Sequence, residues 1–164
     1  MKDHQIQRLT LGGILSAVIL LLTLFVKIPM PVPGGSGYVH LGDGAILLTS
    51  VLMGPYAALI AGIGSALADV LSGFAVYALP TFFIKAAMGG FAGFLARKNA
   101  PWRNTVVFAL AACIMAGGYF LYEGFAFGWP VAIADLVPNL LQGASGVVIG
   151  LVLTALPLDR IQRG

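Results

Sequence analysis

The sequence predicts an all-α polytopic membrane protein: one domain over residues 1–164, six transmembrane helices, and both termini cytoplasmic. Three observations predict this. Hydrophobic residues make up 59% of the 164 positions and charged residues 9%, with a mean hydropathy of +0.97, so a soluble fold of this length could not hide its apolar surface. Several apolar stretches reach the roughly 20 residues that a bilayer-crossing helix needs. The basic residues cluster in connections that six helices would place on one side.

The spans follow in order. The first is expected over 9–26; residues 1–8 ahead of it give a superficial likeness to a secretory signal. No small-x-small cleavage site followed by a soluble domain appears, so the segment reads as a retained helix. The second, 41–53, is short, and Gly54-Pro55 predicts a tight turn into the third, 55–72. The same pair could form one kinked hairpin. The fourth, fifth and sixth are expected over 77–96, 105–127 and 130–156. Lys2, Arg8, Arg97, Lys98, Arg103, Arg160 and Arg163, seven of the nine Lys and Arg, then share the side of the termini, which the positive-inside rule makes cytoplasmic. Lys27 falls outside and Lys85 within a span.

The longest external connection, 27–40, reads KIPMPVPGGSGYVH. Its three prolines and three glycines predict a semi-stiff, turn-rich loop. Loops of this length are often lids, although composition alone suits a tether equally well. Tyr38 and His40, next to the second helix, weigh toward the lid.

Ionisable residues recur near the outer ends of the spans: Asp43, Asp69, Lys85, Glu123 and Asp135. Charge in hydrocarbon is costly and faces a bundle interior or a wet cavity, so shared depth points to a pocket open on one side. In the sixth span Asp135, Asn139 and Gln142 are spaced i, i+4, i+7 on one face, descending about 10 Å at 1.5 Å per residue. Gly146 and Gly150 continue that face, so the stripe describes a cavity with a floor. Interhelical hydrogen bonds, worth about 0.6 kcal/mol each, are the competing reading.

On the fifth span Tyr119 and Glu123 stand one turn apart beside Tyr122, a ring and a carboxylate suited to a flat, donor-bearing ligand. They could equally be interfacial anchors. The fourth offers Tyr77, Thr81 and Lys85 at i, i+4, i+8. A buried ammonium needs a carboxylate, and Glu123 or Asp135 is the expected partner, in a structural pair or at the substrate. Asp43 reads first as a helix N-cap beside Gly42. Asp69, a turn before Gly73, is ambiguous. Gly12, Gly13, Ser16 and Ala17 make two overlapping small-xxx-small pairs, which let another helix approach, from this chain or from a separate subunit.

Several classes are excluded. Cys113 is alone in an apolar helix and reads as packing. No phosphate-binding GxxxxGK[ST] loop, HExxH or Cys/His cluster is present, and no nucleophile has a paired base, so neither an enzyme nor a cofactor is expected. The bases are too scattered for nucleic acid. An ion-coupled secondary transporter relaying protons through Asp69, Lys85 and Asp135 is the second reading, against which the lack of an inverted repeat counts.

The stretches HLGDGAILLTSVLMGPYAALIAGIGSALADVLSG and FIKAAMGGFAGFLARK, with YEGFAFG and VPNLLQGASGVVIG, cover most of the chain. Together they resemble the substrate-binding S components of energy-coupling factor (ECF) vitamin transporters. The resemblance implies a six-helix protein of a bacterial cell membrane that captures a vitamin or precursor at the outer face. It would then depend on a transmembrane coupling subunit and two cytoplasmic ATPases. The family's Ala-x-x-x-Ala docking surface falls on Gly13 and Ala17, glycine replacing the first alanine. The family's pocket falls on Tyr38, His40, Lys85, Tyr119, Glu123, Asn139 and Gln142, with Tyr77 a further stacking candidate. The GD, IK and PNLLQG pattern resembles members handling hydroxymethylpyrimidine or pyridoxine.

Overall fold

The structure, a computed structural model, describes residues 2–32 and 35–156, with side chains described over 5–28 and 40–156. Arg160, Arg163 and the side chains of Lys2 and Tyr38 lie outside the described residues. Six helices are present: α1 (Lys2–Phe25), α2 (Gly42–Met53), α3 (Ala57–Leu71), α4 (Ala75–Leu95), α5 (Pro101–Ala126) and α6 (Trp129–Thr154). Strands β1 (Lys27–Val32) and β2 (Gly35–His40) join α1 to α2. Bulky apolar side chains such as Leu9, Leu59, Phe83, Phe125 and Val152 face outward, while glycine, alanine and polar residues face in. That arrangement suits lipid, where close backbone packing replaces the hydrophobic effect between helices.

Five stretches are long and apolar enough to cross a membrane: Gln5–Phe25, Gly42–Leu71, Ala75–Leu95, Pro101–Ala126 and Trp129–Thr154. The sequence led us to expect six spans, and the difference lies in the second stretch. It contains both α2, 12 residues, and α3, 15 residues. At 1.5 Å per residue each is shorter than a hydrocarbon core of about 30 Å. Contacts with α4 show that the two run in opposite directions. On α2, Asp43 meets Lys85 and Gly54 meets Gly93; on α3, Ala57 meets Gly89 and Gly62 meets Phe82. The pair is therefore a hairpin, turned by Gly54-Pro55-Tyr56 with Gly54 at φ +59°. Only glycine adopts that backbone without strain.

Residues 27–40 are not the irregular loop that their prolines and glycines predicted. Residues 27–32 and 35–40 pair as antiparallel strands, with Lys27 opposite His40 and Val32 opposite Gly35, so the all-α expectation gains a small sheet. Pro29 and Pro31 are two residues apart and turn their donor-less nitrogens to the same edge. In a two-stranded sheet that edge can be the free one, so β1 tolerates both prolines. The strand pair touches α1 and α6 and roofs one end of the bundle. Arg8, Arg97, Lys98 and Arg103 belong to the opposite end, at the start of α1 and the α4–α5 junction.

Glycines set how closely the helices meet. A Cβ on Gly89 would come within 2.8 Å of the Ala57 carbonyl oxygen, and one on Gly146 within 2.8 Å of the Asp43 Cβ. Further from the roof, Leu47, Met88, Phe108 and Met115 are fully buried in the main apolar core. On α1 the small residues divide their work: Gly12 packs on Ile60, and the Ser16 carbonyl faces Gly64 on α3. Gly13 and Ala17 are exposed, and Gly13 has no neighbour where a Cβ would project.

Candidate functional site

The centre of the roofed half is an ion pair. The Lys85 ammonium donates to Asp43 Oδ1 at 2.5 Å, and Gln142 Nε2 donates to Asp43 Oδ2 at 3.1 Å. Lys85 and Asp43 are 1% and 0% exposed. Two expectations are corrected here. Lys85 does not pair with Glu123 or Asp135, and Asp43 is not an N-cap. Leu41 holds the cap position without a side-chain bond, while Asp43 lies inside the first turn of α2, pressed against Gly146 and turned toward α4. Glu123 stands level with Tyr77, two helical turns or about 12 Å along α4 from Lys85.

Tyr119 covers the pair. Its hydroxyl is 2.9 Å from Thr81 Oγ1, and its ring centroid lies 5.6 Å from Lys85 Nζ, within cation–π range. Tyr77 packs on Tyr122 and Phe127 at 5.5 and 5.6 Å, and the Tyr122 hydroxyl donates to the Val76 carbonyl at 2.9 Å, making an aromatic lip nearer the roof. Glu123, beside Tyr77, is 4% exposed, and its Oε2 has no hydrogen-bond partner among the described residues. A buried acceptor left unmade costs about 1–3 kcal/mol, more when charged, so it marks a place for a donor. Asn139 and Asp135 are half-buried on α6, on the roof side of Gln142.

His40, at the end of β2, is buried, and its Nδ1 accepts the Gly42 N–H at 3.2 Å, so the ring proton resides on Nε2. Burial pushes its pKa down to about 4, with the nearby Asp43 carboxylate opposing and Lys85 and Lys27 assisting. The unfolded chain, with an ordinary value near 6.5, binds more protons between those limits. Stability is therefore full above about pH 6.5 and falls as pH drops toward 4, by about 3 kcal/mol. Melting curves from pH 7 to 4 should show that slope, and His40→Gln should flatten it.

Thus α2, α4, α5, α6 and the end of β2 bring Lys85, Tyr119, Gln142 and His40 around Asp43. Glu123 and Tyr77 stand one level nearer the roof, with Asn139 on the flank. Tyr38 pairs in register with Pro29. Gly13 and Ala17 lie apart from this centre, on a groove of about 800 Å³ between α1 and α3, rimmed by Arg8 and Tyr56. Reading the sequence missed Asp43 as the hub, Thr23 beside Gly42, and Ser65. The last had a usable signal, standing at i−4 from Asp69 on the same helical face. Among the described residues no group of three or more His, Cys, Asp or Glu could hold a metal ion.

The arrangement is a buried polar cluster with an aromatic wall, bounded on one side by the apolar core. Comparisons with known proteins show what this chain is similar to. The family described as ECF-type riboflavin transporter, S component, matches residues 3–158. The thiamine precursor transporter HmpT of Lactococcus lactis subsp. cremoris (strain MG1363) is 35% identical over 159 residues, 95% of this chain and 90% of that protein. An uncharacterized protein of Pyrococcus woesei is 34% identical over 130 residues, 78% of this chain and 86% of that one. The crystal structure of the biotin S component of an ECF-type ABC transporter superposes with a TM-score of 0.68 at 16% identity, covering 100% of this chain and 95% of that one. This chain is a membrane protein of the ECF transporter S-component family.

Proposed function

We propose that the chain is the substrate-capture subunit of an ATP-driven ECF importer. It would bind a small aromatic vitamin or precursor beside the Asp43–Lys85 centre from the outer side of a cell membrane. The observation that carries the reading is a buried Lys85–Asp43–Gln142 centre that has an aromatic cover, Tyr119, on one side and a filled apolar core on the other. A guest reaching that centre would meet the filled core and have no onward path. The hairpin roof faces outward in this reading, because Arg8, Arg97, Lys98 and Arg103 lie at the other end.

Hydroxymethylpyrimidine fits better than pyridoxine. The first is a thiamine precursor, and a relative sharing 35% identity over most of both chains is named as a transporter of such a precursor. The ring would lie against Tyr119 or Tyr77, its donors meeting Glu123, Asn139 and Gln142, with His40 and Tyr38 closing from the hairpin. Energy would come from partners, a transmembrane coupling subunit and two ATPases, the first meeting the exposed Gly13 and Ala17 along the α1–α3 groove.

Reconstitution tests this division of labour. Liposomes containing the chain alone should bind radiolabelled hydroxymethylpyrimidine to a stoichiometric plateau. They should accumulate it only when the coupling subunit, the ATPases and ATP are supplied. Sustained uptake by the chain alone, abolished by an ionophore, would favour the ion-coupled reading through Asp69, Lys85 and Asp135.

A further inference from the structure

The roofed half holds more carboxyl groups than ammonium groups. Three carboxylates, Asp43 on α2, Asp69 on α3 and Glu123 on α5, act on the Tyr119 phenol from different helices. The ammonium among them, Lys85, is engaged by Asp43. Lys27 contributes to the field at Asp69 from the base of β1, where its Nζ lies 3.5 Å from Ser72 Oγ. Asp69 Oδ2 and Glu123 Oε2 are both buried without a hydrogen-bond partner among the described residues, and so is Ser65 Oγ, in a residue only 2% exposed. Buried acceptors and hydroxyls without partners are rare in folded proteins, and each calls for a water, an ion or a ligand.

These orphans lie on α3 and α5, the helices that flank the Tyr77–Thr81 face of α4. Gly62 of α3 packs on Phe82, and Asp69 is within hydrogen-bonding reach of Thr81, so the Ser65–Asp69 face of α3 looks toward α4. On the α5 side, Gly118 packs on Ile84, and Glu123 stands beside Tyr77. Thr81 links α3 and α5: its hydroxyl is within hydrogen-bonding reach of Asp69 and 2.9 Å from the Tyr119 hydroxyl, in a pair where either oxygen can donate.

Resting on the capture function above, we propose that Asp69, with Ser65 one turn below it, is a second recognition edge that accepts a hydrogen-bond donor of the ligand opposite Glu123. The matching ligand class is a flat heterocycle with donors at two separated positions, such as the amine and the hydroxymethyl group of an aminopyrimidine. A ring with a single donor leaves one buried carboxylate unmatched, and sites built to bond a polar group strongly reject analogues lacking it.

Calorimetric titration of the purified chain with 4-amino-5-hydroxymethyl-2-methylpyrimidine tests this, alongside its analogues lacking the amine or the hydroxyl. Asp69→Asn should weaken binding of the parent compound about tenfold to a hundredfold, the range for a hydrogen bond to a charged group. One of the two analogues should bind wild type and Asp69→Asn nearly equally, because its missing donor is the group Asp69 receives. If Asp69→Asn does not fold, Ser65→Ala reads the same niche and should weaken binding several-fold. Binding of the parent compound unchanged in Asp69→Asn, or in Ser65→Ala where that variant is used, overturns the second edge. If Glu123→Gln weakens binding in the same series, the capture function stands without it. Absence of binding by wild type overturns both.

Discussion

Lys85→Met should be among the most damaging single substitutions in this chain, lowering stability by about 3–5 kcal/mol. Methionine keeps most of the volume but removes the cation, leaving the Asp43 carboxylate at 0% exposure without its charge partner, beside the Gln142 donor. The cost arises from the charge left behind more than from the bond lost. The double variant Asp43→Asn, Lys85→Met should therefore recover most of the loss, since neither charge remains to be desolvated. Thermal unfolding of the three variants in one detergent gives the comparison. A Lys85→Met protein that melts with wild type, or a double variant worse than the single, would mean that the pair does not organise the layer. Ligand binding should not return with stability in the double variant, because Lys85 also faces the Tyr119 ring at 5.6 Å.

Glu123→Gln should have the opposite profile: affinity for an aminopyrimidine falls about tenfold to a hundredfold while the melting temperature holds or rises. The carboxylate is buried with one oxygen unmatched, so the empty protein carries a desolvation cost that neutral glutamine relieves. In the bound state the charge is what strengthens the hydrogen bond to a ligand amine. Residues placed for function often lower stability in this way, whereas a structural carboxylate would show both quantities falling together. Paired melting and calorimetric measurements on the same preparation separate the cases. Lost stability with unchanged affinity would assign Glu123 to the scaffold.

Much of this was legible in the sequence because membrane helices declare themselves by length and composition. Five of the six helices end within four residues of where the apolar runs placed them; α1 begins earlier, at Lys2, since its polar first turns carry no hydropathy signal. Gly54-Pro55 announced its turn. The hairpin over 27–40 was hidden because proline and glycine argue against strands in general, and only a two-stranded sheet with a free edge excuses them. Lys85, Glu123 and Gln142 stood out as polar residues in apolar helices, and all three are buried. Their pairing was not legible. Asp43 follows a loop and precedes a helix, where a cap is the local expectation, and nothing within α2 says that Gly146 of a distant helix leaves room for it to turn inward. Periodicity gives a residue's face and depth; it does not give which two faces meet.

Capture by this chain requires a guest held in the roofed half, against Tyr119 and short of the apolar core. Diffraction from crystals grown with an aminopyrimidine whose ring methyl is replaced by bromine locates that guest directly. One anomalous peak within contact distance of the Tyr119 ring, on the hairpin side of Lys85, is the result expected. A peak in the α1–α3 groove, or inward of Met88 and Phe108, would contradict it.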